Sequence, residues 1–158
     1  MCDRIEKQIE LLAPRSRVWR AITNHEEFGA WFGVKLDGPF APGRVARGRM
    51  SHPQYEHITW EAVVQTLDPE RLFSFTWHPY ALDPETDYSQ EPPTLVEFEL
   101  EETPKGTLLR LTESGFDSIP PARRNKAYRS NDGGWTSQLK NIENYLAHRP
   151  QHASTQPA

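Results

Sequence analysis

Tyr128, Trp135, Leu139, Ile142 and Leu146 follow one another at intervals of seven, four, three and four residues. Those intervals place all five on one face of a helix. Pro121 suits its first turn and Pro150 ends it, so the spacing predicts a helix over about Pro121 to His148. So apolar a stripe needs a second layer to cover it. The preceding hundred residues supply one, because their patterns have the two-residue period of strands.

The clearest of these patterns is a hairpin. Val96, Phe98 and Leu100 alternate with Glu97, Glu99 and Glu101 between Thr94 and Glu101. Thr103-Pro104-Lys105-Gly106 forms the turn, and Thr107 to Ser114 returns. One face is apolar and the other charged, as in an antiparallel sheet with one solvated side. Leu72 to Trp77 alternates Phe73, Phe75 and Trp77 with Ser74 and Thr76. It is joined through the turn Asp68-Pro69-Glu70-Arg71 to a strand over His57 to Leu67, with Ile58, Trp60, Ala62 and Val64 on one face. Shorter strands are expected at Ile5–Leu12, Val34–Leu36 and Arg44–Met50. Two short helices follow the first strand. One begins near Pro14 and carries Val18, Trp19, Ala21 and Ile22. The other is capped by Thr23 or Asn24 and carries Phe28, Trp31 and Phe32, with Glu26 and Glu27 at its positive end. Trp19 and Trp31 read as core anchors. Gly133-Gly134 interrupts the long helix, marking a kink or a place of close approach.

The order predicts an α+β fold: a curved antiparallel sheet of six to seven strands wrapped around a long C-terminal helix, with two short helices after the first strand. Residues 1–148 form a single domain, and the polar tail 149–158 is expected to be disordered. The length of 158 residues suits one domain with a proper core. A net charge of −4 disfavours nucleic acid as a partner. Cys2 is the only cysteine, so neither a disulfide framework nor a cysteine metal site can form. Neither a signal peptide nor a membrane-spanning run is visible, and the expected location is the cytoplasm.

In this order, several motifs resemble the START-like (helix-grip, SRPBCC) superfamily, and within it the branch related to the activator of the heat-shock-protein-90 ATPase, of the bacterial stand-alone type. The matching residues are Ala13-Pro14 with Val18-Trp19-Arg20-Ala21-Ile22-Thr23, Phe28-Gly29-Ala30-Trp31-Phe32, and Asp68-Pro69-Glu70-Arg71-Leu72 with Phe75-Thr76-Trp77. Gly106-Thr107, Leu109-Arg110-Leu111-Thr112, Ser114-Gly115-Phe116, Gly134-Trp135, Leu139 and Tyr145-Leu146 complete the set. The resemblance runs from Arg4 to about His148. It implies a seven-stranded sheet gripping the C-terminal helix. It leaves the chemistry open, because members bind lipids, hormones or polyketides, and some are cyclases.

Catalytic signatures are absent from the sequence. There is no phosphate-binding glycine loop, no His-Glu-x-x-His and no serine elbow. His52 and His57 lack a third ligand, so no metal is expected, nor any cofactor. Glu113 stands out because it lies in phase with Leu109 and Leu111 on the apolar face, where a carboxylate is costly unless paired. It is either a structural pair, an outward-turned residue at a bulge, a polar anchor, or an acid/base group. Trp60, Phe73, Phe75, Trp77, Val96, Phe98, Leu111, Glu113, Trp135 and Leu139 are the expected ligand-binding wall under the C-terminal helix. His78, Tyr80 and Tyr88 lie on or beside a long acidic loop over His78 to Pro93. Arg123, Arg124 and Lys126 form a basic cluster expected to be solvated.

The leading expectation is therefore non-enzymatic binding of a hydrophobic or aromatic small molecule or lipid between sheet and helix. One alternative is a cyclase- or hydrolase-like enzyme using Glu113 with His78 or Tyr80. Another is a co-chaperone-like interaction module. Membrane insertion is not expected, and the state is monomer or homodimer, the first strand being an edge that could pair.

Overall fold

The computed structural model describes residues 4–51, 58–78 and 90–148. The chain runs β1 (Arg4–Leu11), α1 (Arg15–Thr23), α2 (His25–Phe32), β2 (Val34–Leu36), β3 (Val45–Met50), β4 (Thr59–Asp68), β5 (Leu72–Trp77), β6 (Thr94–Glu102), β7 (Thr107–Ser114) and α3 (Pro121–His148). A 3-10 turn at Phe116–Ser118, unforeseen in the pattern, leads into α3. The strands form one curved antiparallel sheet of seven, in the order β1-β7-β6-β5-β4-β3-β2. This is the predicted helix grip.

Each element follows from its residues. In β6, Thr94, Val96, Phe98 and Leu100 are buried while Glu99, Glu101 and Glu102 are exposed. Asn24 starts α2: its side-chain oxygen accepts the Glu27 N–H at 3.0 Å. Gly33 ends that helix with φ of 91°, a left-handed conformation that a β-carbon would strain. Pro14 stands at the cap of α1. Trp31 is buried and donates Nε1–H to the Ala21 carbonyl at 2.8 Å, bracing α2 against α1. Trp19 is half-buried at the core's edge.

The register lays inward-facing side chains in rows across the sheet. Val64, Phe75, Val96 and Glu113 are successive partners, and one row over stand Leu67, Phe73, Phe98 and Leu111. Over this surface α3 buries Ala127, Trp135, Leu139, Ile142 and Leu146. Gly133 and Gly134 neither break nor crowd the helix. Both are exposed, and a β-carbon at either would meet nothing within 4 Å.

Polar contacts fix α3 along its length. Tyr128 donates its hydroxyl to the Arg4 carbonyl at 3.1 Å, and Gln138 donates to the Phe32 carbonyl at 2.9 Å. Near the helix end, Tyr145 donates to Glu27 at 2.8 Å. Glu27 also receives the buried Arg17 at 2.7 Å and Arg20 at 3.0 Å. Burial first, then the bond to Glu27 and its negative charge, holds the Tyr145 hydroxyl above the usual tyrosine range, while Arg17 pulls the other way.

Candidate ligand-binding site

Alternation along the hairpins brings Trp77, Thr94 and Ser114 to one end of the sheet, beside Arg4. The last residue of β3, Met50, and the first of β4, Thr59, stand at this same end. Here Glu113 points inward and is fully buried, as its phase with Leu109 and Leu111 requires. The strand does not bulge there.

The partners of Glu113 are uncharged. Oε1 accepts Trp135 Nε1–H at 2.8 Å and Asn131 Nδ2–H at 2.9 Å. Oε2 accepts Trp77 Nε1–H at 2.8 Å and the Thr94 hydroxyl at 2.6 Å, with Asn131 also 3.1 Å away. Both oxygens thus meet donors only, which matches an acceptor-only carboxylate. Charge-assisted bonds of this kind are the strong ones, and together they offset the cost of burying the group. The cage spans β5, β6, β7 and α3, so one carboxylate clamps the gripping helix to three strands. General acid/base work would need an oxygen facing a substrate, and the four donors take up that capacity.

Around the clamp the rings pack against each other. Trp77 lies 5.7 Å from Trp135, 5.3 Å from Phe75, 5.9 Å from Trp60 and 6.2 Å from Phe32, centroid to centroid. Phe98 lies 5.8 Å from Trp135 and stacks on Phe73 at 5.9 Å. Most contacts are tilted or edge-to-face, the arrangements that aromatic quadrupoles favour. Trp60, Phe73, Phe75, Phe98 and Trp135 are buried, whereas Trp77 is only half-buried and forms the cluster's open edge. Phe28, Trp31 and Phe32 of α2 belong to the same cluster, a contribution that the strand-based reading missed.

The other expected wall residues divide. Val96 and Leu111 lie buried beneath the rings in the rows described above. Leu139 is also buried, but it lines a surface groove between β1 and α3 with Lys7, Ile9, Thr136 and Lys140. Thr94 and Asn131 are the site residues that the sequence concealed. They lie 19 and 18 positions from Glu113, at no spacing that announces a pair.

His78 has a local role. Its Nε2 is 2.8 Å from the Glu91 carbonyl oxygen. The Glu91 carboxylate accepts two bonds from Arg123, at 2.7 and 3.3 Å. Arg123 is therefore an ion-pair partner at the start of α3 rather than part of a solvated cluster, its side chain being 19% exposed. Arg124 likewise donates to the carbonyls of Ile119 and Asp117. Tyr80, Tyr88, His52 and His57 lie outside the described residues. Among the described residues, no group of three or more His, Cys, Asp or Glu side chains could hold a metal, and no helix is long and apolar enough to cross a membrane.

A long helix gripped by a seven-stranded sheet, pinned from the concave side, defines a START-like helix-grip domain. A family model described as activator of Hsp90 ATPase homolog 1-like protein matches residues 12–147. The chain belongs to that family, which places it among ligand-binding or co-chaperone-like domains of this fold. Protein MLL2253 from Mesorhizobium loti is similar in structure, with a TM-score of 0.73, 26% identity and coverage of 92% of this chain and 97% of that one. The Aha1 dimer from Colwellia psychrerythraea shares the fold, with a TM-score of 0.68 at 18% identity over 92% of this chain and 96% of its own. DynU16, a protein of the dynemicin biosynthetic locus, matches with a TM-score of 0.72 at 20% identity, over 93% of this chain but 48% of its own length. No curated protein is significantly similar in sequence.

Proposed function

We propose that this domain binds an apolar or aromatic small molecule at the end of the grip where the ring cluster is open. The observation that supports the reading is the continuous aromatic surface running from Trp60 through Trp77 to Trp135. It reaches partial exposure at Trp77, the last residue of β5. Mostly apolar walls with a few fixed polar groups are the usual make-up of small-molecule sites. In this reading Trp60, Phe75, Trp77, Phe98 and Trp135 supply contact area, and Glu113 is a positioning residue that holds both indoles by their N–H groups. A flat ligand exchanges ring–ring contacts at the Trp77 edge for ring–ligand contacts, so the site needs no large void when empty.

Native mass spectrometry and tryptophan fluorescence, run against a panel of aromatic and aliphatic compounds, test this. The expected result is a one-to-one adduct with quenched emission, weakened several-fold by Trp77→Ala. Absence of any adduct or quenching across the panel at about millimolar concentration, near the weak end of specific binding, sinks the reading.

A further inference from the structure

The indole N–H groups of this cluster are not treated alike. Trp31 gives its proton to the Ala21 carbonyl, and Trp77 and Trp135 give theirs to Glu113. Among the described residues Trp60 Nε1 has no hydrogen-bond partner, although the residue is only 6% exposed. Buried indoles normally find an acceptor, and each buried donor without one calls for an explanation. The explanation is not a flaw in packing, because the Trp60 ring is held on several sides. Phe28, Phe32, Phe75 and Trp77 surround it at 5.7, 5.8, 5.8 and 5.9 Å. All four are apolar rings or the carbon face of an indole, and a ring face is a poor substitute for an oxygen.

Position adds a second observation. Trp60 is the second residue of β4, so it stands at the same end of the sheet as the half-buried Trp77, directly beside it. Its partner in β3 is Gly48, which presents no side chain over it. A buried N–H donor fixed by ring contacts beside the half-buried Trp77 has the chemistry of a specificity group, since one fixed donor favours ligands that offer an acceptor.

We propose that Trp60 Nε1 is a ligand-binding donor that takes a carbonyl or hydroxyl oxygen carried on an aromatic body. This deepens the proposed binding function and rests on it. The ligand class is then oxygenated aromatics, and a pure hydrocarbon of the same shape leaves the indole proton unpaired.

The matched probes fluorene and 9-fluorenone separate these claims, because they share a ring system and differ at a ketone. Fluorenone should bind the wild-type protein about three- to tenfold more tightly than fluorene, the factor expected for one net hydrogen bond. In Trp60→Phe the ratio of the two affinities should fall to near one, whatever the absolute values. A ratio unchanged by the substitution overturns the proposal. The five tryptophans also allow a test on the unaltered chain. In a spectrum of the nitrogen-15-labelled indole groups, the Trp60 proton should move downfield with fluorenone and not with fluorene. A Trp60 proton already at a hydrogen-bonded position in the free protein and unmoved by fluorenone assigns the donor to a bound water, and again overturns it. If neither probe binds while other members of the panel do, the oxygenated-aromatic class and the donor role fall and the binding function stands; if nothing in the panel binds, the binding function falls as well. If both bind equally, only the assignment to Trp60 falls.

Discussion

Replacing Glu113 by glutamine tests whether the buried carboxylate is a clamp. Glutamine keeps the shape but has one acceptor oxygen and one NH2 group. If its oxygen takes the Oε1 place, Asn131 and Trp135 keep their acceptor and the Trp77 indole faces an N–H. If it takes the Oε2 place, Trp77 is served and Trp135 is left unpaired. The Thr94 hydroxyl can turn and accept in the first case, so each orientation orphans one indole N–H. A buried donor without a partner costs about 1–3 kcal/mol, and the surviving bonds drop from charged to neutral strength, roughly 1 kcal/mol more. Relief of the desolvation cost of a buried charge opposes this. Because the donors are already held in place by packing, the loss of bonding should dominate, with about 2–4 kcal/mol as its upper limit. Urea unfolding with linear extrapolation should show a lower midpoint at unchanged slope, and the thermal midpoint should fall by up to roughly 5–15 °C. In a double-mutant cycle, Trp77→Phe should cost less in the Glu113→Gln background than in wild type, because the two changes remove the same bond. A midpoint equal to or above that of wild type would falsify the clamp and show that removing the charge outweighs the four donors.

Three further outcomes follow from other contacts. The tyrosine pKa raised by burial and by Glu27 means that the folded state holds the Tyr145 proton more tightly than the unfolded chain does. This contribution is intact below the ordinary tyrosine pKa of about 10 and is lost as pH rises through the elevated value. Tyr145→Phe should therefore flatten the alkaline fall in stability, and an unaltered slope in urea titrations above pH ~10 counts against the assignment. Gly133→Ala and Gly134→Ala meet open space, so each should raise stability by about 0.5–1 kcal/mol; a loss in calorimetry means that the helix uses their flexibility. Gly106→Ala should have the opposite effect, because its β-carbon would sit 2.2 Å from the Leu11 carbonyl oxygen and 2.9 Å from the Ala13 nitrogen. The expected loss is about 3 kcal/mol, read from the urea midpoint, and a neutral result refutes the close approach.

The sheet and its inward face were legible because a strand reports its orientation at every second residue. Val96, Phe98 and Leu100 against Glu97, Glu99 and Glu101 left only one way to face the core, and the stripe on α3 named the opposing layer. Glu113 was legible as an anomaly for the same reason. Its partners were not, because Thr94, Asn131 and two tryptophans are neutral donors that only the tertiary fold assembles. A charge search looks for a lysine or arginine and finds none at a telling distance. Arg123 misled in the other direction. Beside Arg124 and Lys126 it looked like solvated surface, but its carboxylate partner Glu91 lies 32 positions earlier. The unpaired Trp60 donor has no signature in sequence at all, since it is defined by what surrounds it.

The strand order sets a schedule for synthesis of the chain. Among the described residues the first strand pairs only with β7, and Arg4 meets Ser114 roughly 110 residues later. At the pace of translation, about 5–20 residues per second, β1 leaves the ribosome many seconds before that neighbour exists. Strands β2 to β6 can zip up meanwhile through neighbouring hairpins. The sheet closes only when β1 and β7 meet, and α3, which shields the concave face, is made after both. Nascent chains halted before about residue 120 should therefore keep β1 unpaired and the ring-bearing face uncovered, exposed to any chaperone that recognises apolar strands.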